Sequence, residues 1–522
     1  MVRLPPRLKQ LTWRKSFVHS EVGTSWKKRL YSTLSGGGSV ARCKDEGELH
    51  KYVCIVPYKN DNILSLEKTY DSKYPHVVSE NNIEVESNLK YIYKILLTSR
   101  TVEQIRLVLH NSYCAYENNF INDIRNINWS AYIPFSSVFI EPQINVKSIK
   151  SRLFHTCMIK NIILNVIKKQ QQVYIEKNGD ENILLKKKKL NPSSLQPLKI
   201  HVLFRYNELS ISVNISNDLN RRLYIAHKNE SSLKNTIIAS ALFKINIFNY
   251  TNGGKNLYIV DPFCNDGCIL LETLSILMTA PCGSPSINYP IVSFPMHSPS
   301  AFFEALNEVN MTPRKFTDRV FLLGVDDSKE HIRKANANLK RLFLTMPQSV
   351  DEDDIKMKGD IPISKEGMDK SVRSEKGGVG KSGGELPPME NSTSHFISLG
   401  TQELNALFST DGILQNRSDN PAMSRRIKFL CMDFLKLNNV NENCVIITSI
   451  VNVDEKKKKK LEKILLRSQI LNAFVFAQEN YKERTKLKFK LVSRFVSDGQ
   501  NIILVQLFGH LRRGVYDETW DD

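Results

Sequence analysis

Leu257-Tyr258-Ile259-Val260-Asp261-Pro262-Phe263-Cys264-Asn265-Asp266-Gly267-Cys268 is the stretch on which the reading of this chain turns. Four apolar residues with strand character deliver Asp261 and Pro262 into a tight loop, and Ile269 to Leu277 leave it with the pattern of a helix. Ligands of open α/β sheets bind at the carboxyl ends of the strands, where glycine allows close backbone approach and helix-terminal amides face the ligand. A plainer role stands beside that one: Asp261 as a helix cap and Pro262 as the residue that fixes its entry angle.

Working outward, Leu322-Leu323-Gly324-Val325-Asp326 ends a second strand in an acid, and a helix follows from Ser328 to Leu342. Asp433 follows a third strand, Ile427 to Cys431. Strand-end acids of this kind bind ribose hydroxyls and an adenine amino group, and each is also an ordinary helix cap. Further strands are predicted at Cys444 to Thr448 and Ala473 to Ala477, with an antiparallel pair, Leu487 to Phe495 and Asn501 to Phe508, around Gly499. Strands alternating with helices imply a doubly wound parallel sheet. Upstream the pattern is mixed: a strand from Lys51 to Val56, a helix from Phe154 to Ile167, a hairpin around Arg205-Tyr206-Asn207-Glu208, and a helix from Leu233 to Phe243 with small residues at Ala239, Ser240 and Ala241.

The chain has 522 residues, enough for two or three domains, and carries a formal charge of +19. Such an excess suits a polyanion, nucleic acid above all, although a Lys-rich compositional bias accounts for it equally. The runs Lys186 to Lys189 and Lys456 to Lys460 read as solvated loops or linkers. Nine cysteines without C-x-x-C spacing point to neither zinc nor a disulfide framework, so no metal is expected. No apolar run is long enough to cross a bilayer, so no membrane partner is expected either.

Residues 1–45 are rich in Arg and Lys with the single acid Glu21 in the first forty, the composition of a transit peptide, with a merely disordered basic leader as the alternative. A mitochondrial or other organelle matrix is the expected location, and the cytoplasm the alternative. Residues 348–423 lose apolar periodicity and read as a disordered insertion. Within it Lys376-Gly377-Gly378-Val379-Gly380-Lys381-Ser382 matches a phosphate-binding loop in letters only, since neither strand nor helix flanks it.

Asp261-Pro262-Phe263-Cys264-Asn265-Asp266-Gly267-Cys268-Ile269-Leu270-Leu271-Glu272 resembles the Asp-Pro-Phe-Cys-Gly-Ser-Gly-Thr-Ile-Leu-Ile-Glu signature of the THUMP-associated large-subunit rRNA guanine-N2 methyltransferases. Met278-Thr279-Ala280-Pro281-Cys282-Gly283, Gly324-Val325-Asp326-Asp327 and the closing hairpin extend the likeness. So do Thr98-Ser99-Arg100-Thr101, Ile127-Asn128-Trp129, Phe154-His155-Thr156-Cys157 and Arg221-Arg222-Leu223-Tyr224, together covering about three quarters of the chain.

The resemblance implies an α/β fold: a Rossmann-like class I methyltransferase domain in two pieces, 221–347 and 424–511, preceded at 50–220 by a ferredoxin-like and THUMP α+β RNA-binding region. It implies a monomer that moves a methyl group from S-adenosyl-L-methionine to an exocyclic amine of ribosomal RNA. Asp261, Phe263, Cys264, Gly267, Asp326 and Asp433 are the implied cofactor-binding residues. In the family an Asn-Pro-Pro-Tyr loop aligns the amine; here Ser449 stands at the Asn and Asn452 at the aromatic, so these two are the candidate catalytic positions. A serine hydroxyl offers less reach than an amide, and Asn265-Asp266 replaces Gly-Ser. The alternative implied function is therefore a degenerate homologue that binds RNA or assembles with ribosomal precursors.

Overall fold

The computed structural model describes residues 49–57, 67, 73–79, 81–135, 140–178, 197–225, 233–247, 256–283, 289–311, 319–345, 397–398, 426–433, 437–438, 444–451, 453–467, 472–485, 487–497 and 500–508. The basic leader, Lys186 to Lys189, the Lys376 to Ser382 string, Asn452 and Gly499 lie outside the described residues.

Two seven-stranded sheets organise the chain. The first takes β1 (His50–Ile55), β2 (His76–Val78), β3 (Asn82–Ser87), β4 (Gln104–Tyr113), β5 (Gln143–Ile149), β6 (Lys199–Arg205) and β7 (Glu208–Asn214) in the order β2-β3-β1-β4-β7-β6-β5. All its pairings are antiparallel except β5 with β6. Alternate residues of β6, Ile200, Val202 and Phe204, are buried on one face, which is the period-2 pattern of a half-covered sheet. Helices α1 (Leu89–Thr98), α2 (Glu117–Asn126) and α3 (Thr156–Asn178) belong to this module. Asn88 caps α1 by accepting the Tyr91 N–H at 3.0 Å. Trp129 is fully buried and donates its indole N–H to the Ile124 carbonyl, so it anchors the core.

The second sheet is built from β8 (Leu257–Asp261), β9 (Val320–Asp326), β11 (Ile427–Cys431), β13 (Cys444–Ser449), β14 (Asn472–Gln478), β15 (Lys488–Ser497) and β16 (Gln500–Phe508), ordered β11-β9-β8-β13-β14-β16-β15. Its first five strands run parallel, and β16 pairs antiparallel with both β14 and β15, the antiparallel closing pair that the sequence predicts. Every residue of β8 is buried, the property of a central strand covered on both faces. Helices α4 (Asn235–Ile245), α5 (Cys268–Leu277), α7 (Lys329–Thr345), α8 (Glu455–Arg467) and the single turn α9 (Tyr481–Arg484) complete this domain. α4, with its small residues at 239–241, packs on the wholly buried α5. Between 348 and 423 the described residues are Ile397–Ser398 (β10), which pair in parallel with Leu437–Asn438 (β12).

The two modules meet through a buried ionic hub. Arg100 and Arg222 both bond the carboxylate of Glu272 on α5 at 3.1 Å, and Tyr224 donates its hydroxyl to the same group. Arg100 also reaches the Ser275 hydroxyl and the Ala280 carbonyl, while its own N–H is accepted by Glu67. Burial raises the Glu272 carboxyl, but the two guanidiniums outweigh it and hold the group below its ordinary value. Cys282 and Gly283 bond the end of α1, and a Cβ on Gly283 would stand 2.5 Å from the Leu96 carbonyl oxygen. The short motifs around residues 100, 222 and 283 thus serve assembly of the two modules.

A further segment crosses the boundary. Tyr289 to Phe294 and α6 (Pro299–Met311) follow α5 in sequence but bury Tyr289, Ile291, Phe302 and Ala305 in the core of the first module. Tyr93 of α1 bonds His297 at 2.8 Å and meets the Phe302 ring edge-on, and Lys90 pairs with Glu304 and Glu308.

Candidate functional site

In the second sheet, β8 continues through its helix to β9 on one side, whereas its other neighbour is β13. The strand order reverses between β8 and β13, and open α/β sheets form their ligand crevice at such a point. Asp261 is the last residue of β8 and lies at that point, fully buried. Its Oδ1 accepts the Thr448 hydroxyl at 2.6 Å, from β13, and the Phe263 N–H at 3.2 Å. Its Oδ2 is buried without a hydrogen-bond partner among the described residues. Burial pushes this carboxyl up to about 7, with Asp326 and Asp266 adding repulsion against the two hydrogen bonds. Asp261 therefore does not cap α5.

That capping falls to the loop itself. Gly267 occupies the N-cap position at φ +81°, and Asp266 accepts the Cys268 N–H at 3.3 Å. Asn265 sits at φ +50°, a left-handed conformation that Asn tolerates well. A Cβ on Gly267 would approach the Phe429 ring at 2.9 Å, and one on Gly324 would meet the same ring at 2.4 Å. Both glycines thus allow Phe429 of β11 to close under the loop. Cys264 and Cys268 are buried, and burial drives the Cys264 thiol well above its ordinary range, so they are packing residues.

Asp326, at the end of β9, accepts the Asn265 N–H at 3.1 Å, the Ser328 N–H at 2.9 Å and His331 Nδ1 at 2.9 Å. A carboxylate offers about four acceptor positions, so room remains for one further donor such as a hydroxyl. Pro262, Phe263, Asp326, Asp327 and Asp433 line one cleft, so three of the implied cofactor-binding residues, Phe263, Asp326 and Asp433, converge there.

Lys457 and Lys460 line the same cleft. Lys457 Nζ stands 2.7 Å from Asp327 Oδ2, and Lys460 Nζ 3.9 Å from Asp433 Oδ2. The reading of Lys456 to Lys460 as a loop or linker is corrected here: the run forms the first turns of α8. Leu461 and Leu465, four apart and buried, with Ile464 packed beside them, are the helical signal behind it. Thr448, the partner of Asp261, is a second site residue the sequence reading missed.

Ser449 is half-buried at the end of β13, paired in register with Phe476. The Ile450 N–H then bonds the Phe476 carbonyl, and Ile450 and Val451 are both buried in the cores flanking the sheet. β13 therefore ends at Ser449, with one further backbone bond to β14 at Ile450 before the chain turns at Val451, the two positions where prolines stand in the resembled motif. Asn452, the other candidate catalytic residue, is outside the described residues, so the structure places Ser449 alone beside the crevice.

No family model matches the chain. It is 23% identical over 276 residues to the ribosomal RNA large subunit methyltransferase K/L of Buchnera aphidicola, and 20% identical over 268 residues to that of Hahella chejuensis. These alignments cover 51% and 50% of this chain but 37% and 35% of the relatives, so the chain spans little more than a third of their length. Among solved structures, SMU.472, assigned as a methyltransferase and crystallised with S-adenosylhomocysteine (SAH), superposes with a TM-score of 0.56 at 14% identity, covering 89% of this chain and 100% of its own. A possible methylase from Clostridium difficile 630 gives 0.57 at 15% identity, over 90% and 100%. The chain is a distant homologue of the ribosomal RNA large subunit methyltransferases K/L, and its fold, an α+β module joined to a Rossmann-like α/β domain, matches these two solved structures.

Proposed function

We propose that the chain binds S-adenosyl-L-methionine and methylates RNA, on an exocyclic amine such as guanine N2 of large-subunit ribosomal RNA. One observation carries this reading: the Asp261 carboxylate at the crossover point of the sheet, with one oxygen fixed by Thr448 and the other buried and lacking a partner among the described residues. A buried acceptor in that state is costly by itself and is relieved by a donor, best a cationic one such as the α-ammonium of an amino acid. The residues present therefore fit the cofactor. Asp326 would hold its ribose and Asp433 its adenine within the cleft that Phe263 lines, and Asp261, buried at the adjoining end of β8, would hold its ammonium.

S-adenosyl-L-methionine supplies an electrophilic methyl group to whichever nucleophile is aligned with it. The chain's own contribution is alignment, because such a transfer needs little acid or base help. Gly267 and Gly324 allow the loop to approach closely, and Thr448 fixes the Asp261 carboxylate. Ser449 provides one hydroxyl acceptor for an amine hydrogen at the end of β13.

Isothermal titration of the full chain with S-adenosyl-L-methionine and SAH tests the first half. Heat that saturates below about 1 mM is expected, and none up to that level overturns it. A second reading, RNA binding without methyl transfer, is favoured by the burial of Ile450 and Val451 beside Ser449. Mass spectrometry of nucleosides from ribosomal RNA incubated with the protein and cofactor separates the two: methylation that depends on Asp261 removes the second reading. The basic leader is proposed to direct the chain to an organelle matrix. Persistence of the intact leader on protein recovered from cells would argue for the cytoplasm instead.

A further inference from the structure

One end of the first sheet carries a cluster of side chains that neither module boundary nor crevice uses. Tyr113, Tyr116, Phe154 and Tyr206 expose 67%, 59%, 60% and 60% of their surface. They come from the end of β4 and from the segments that follow β4, β5 and β6, which the backbone ties together. Tyr206 N–H bonds the Ile149 carbonyl at 3.0 Å, Arg152 N–H bonds the Asn207 side chain at 2.8 Å, and Cys114 N–H bonds the Asn207 carbonyl at 2.7 Å.

Cations are interleaved with these rings. Arg152 lies over the Tyr116 ring at 5.2 Å and donates to its hydroxyl at 2.6 Å, while Lys150 lies over the Tyr206 ring at 5.8 Å. The Phe154 and His155 rings pack at a tilt of 35° with centroids 4.2 Å apart, directly before α3. The backbone is fixed in uncommon geometry here: Lys150, Tyr206 and Asn207 have φ of 47°, 53° and 67°. For a hairpin of two central residues this is the type I′ geometry, in which Gly or Asn would be the low-strain choice, yet Tyr stands at the first position. Strain held at an exposed aromatic is a feature of binding sites.

Four exposed rings would cost solubility on a surface without a partner, since large apolar side chains clustered in the open promote association. The partner that uses ring faces and cations together is an unpaired nucleic-acid strand, whose bases stack on aromatics while its phosphates meet Lys and Arg. Two exposed acids, Glu117 and Glu208, lie at the same end of the sheet, so the cations do not form a uniform field and stacking carries the affinity.

Resting on the reading of the chain as an RNA-modifying protein, we infer that this end of the first module binds single-stranded RNA by stacking bases on Tyr113, Tyr116, Tyr206 and Phe154. The partner is an unpaired segment next to the modified nucleotide, and duplex RNA has no base faces to offer it.

Fluorescence anisotropy of a labelled oligouridine of about ten nucleotides against the full chain is the test, with a duplex of equal length as comparator. Tyr116→Ala and Tyr206→Ala are each expected to weaken binding roughly 5- to 150-fold, whereas Tyr116→Phe and Tyr206→Phe stay within about twofold because the ring face remains. Lys150→Ala should lower the slope of log affinity against log salt by about 0.7. Melting curves check that each variant folds; should the Ala variants fail, Phe154→Ala in the loop before α3 takes their place. Duplex bound as tightly as the single strand, or folded Ala variants that bind like the parent, overturn the inference. The same variants titrated with S-adenosyl-L-methionine separate the two claims. Tyrosine-dependent RNA binding without cofactor binding leaves this surface standing and removes the methyltransferase reading, and the reverse pattern removes only the surface.

Discussion

Asp261→Asn is the substitution with the clearest opposed consequences. The carboxyl has an ordinary value of 3.8 and is pushed up to about 7 in the folded chain, chiefly by burial. The folded state thus holds the proton more tightly than the unfolded one, so the contribution of this group to stability declines as pH rises from the ordinary value to about 7. At about 1.4 kcal/mol per pH unit, the group costs the folded state about 4 kcal/mol near pH 8, where it is mostly ionised, and roughly 2 kcal/mol near pH 5, where folding requires it to take up a proton. An asparagine keeps the acceptor that Thr448 and the Phe263 N–H use, and places an amide NH2 where Oδ2 has no partner. That unpaired donor costs roughly 1–3 kcal/mol at either pH.

The net expectation is a stabilisation of roughly 1–3 kcal/mol near pH 8 that shrinks to about zero near pH 5. For a domain of this size it raises the melting temperature by roughly 2–10 °C at the higher pH. The same variant should lose at least about tenfold in affinity for S-adenosyl-L-methionine, because the ammonium loses its carboxylate. Differential scanning calorimetry of parent and variant across this pH range, with titration calorimetry alongside, measures both. A variant that melts below the parent near pH 8, or a difference that does not vary with pH, refutes the reasoning.

Glu272→Ala leaves Arg100 and Arg222 buried with their shared carboxylate gone, and should cost about 3–5 kcal/mol by urea denaturation. Since that carboxyl is held below its ordinary value, its stabilisation is present at neutral pH and is lost on acidification. Gly324→Ala should lose about 1–3 kcal/mol, because its Cβ would drive into the Phe429 ring on the neighbouring strand; calorimetry reads this directly. Lys457→Ala removes a half-exposed pair with Asp327 and should change stability by under about 1 kcal/mol, a difference that added salt reduces further.

The parallel sheet was legible because its strands are continuous apolar runs and its loops carry the turn chemistry, as at Leu257 to Cys268. Asp261, Asp326 and Asp433 were legible as strand ends, since position along a strand is a local property. Thr448 was not: it lies 187 residues from Asp261, and its role exists only once β8 and β13 are neighbours. The hub residues Arg100, Arg222 and Glu272 were visible as motifs but not as one cluster, for the same reason. In α8 the five consecutive lysines masked a helical stripe whose apolar members begin only at Leu461, so local charge hid what packing decides.

The seating of α6 in the first module has a consequence for synthesis. The last strand of that module ends at Asn214, yet its core takes in Tyr289 through Val309. A chain emerging from the ribosome cannot complete its first domain when that domain's own strands have appeared. At about 5–20 residues per second the missing helix arrives roughly 5–20 s later. During that interval the apolar side chains of α1 that α6 covers, Tyr93 among them, face the solvent, and β8, α5 and the loop between them are translated before the first module is sealed. The module cut at residue 220 is therefore a nascent intermediate rather than a finished unit, and chaperone engagement should be strongest on ribosome-bound chains that stop between Asn214 and Pro299.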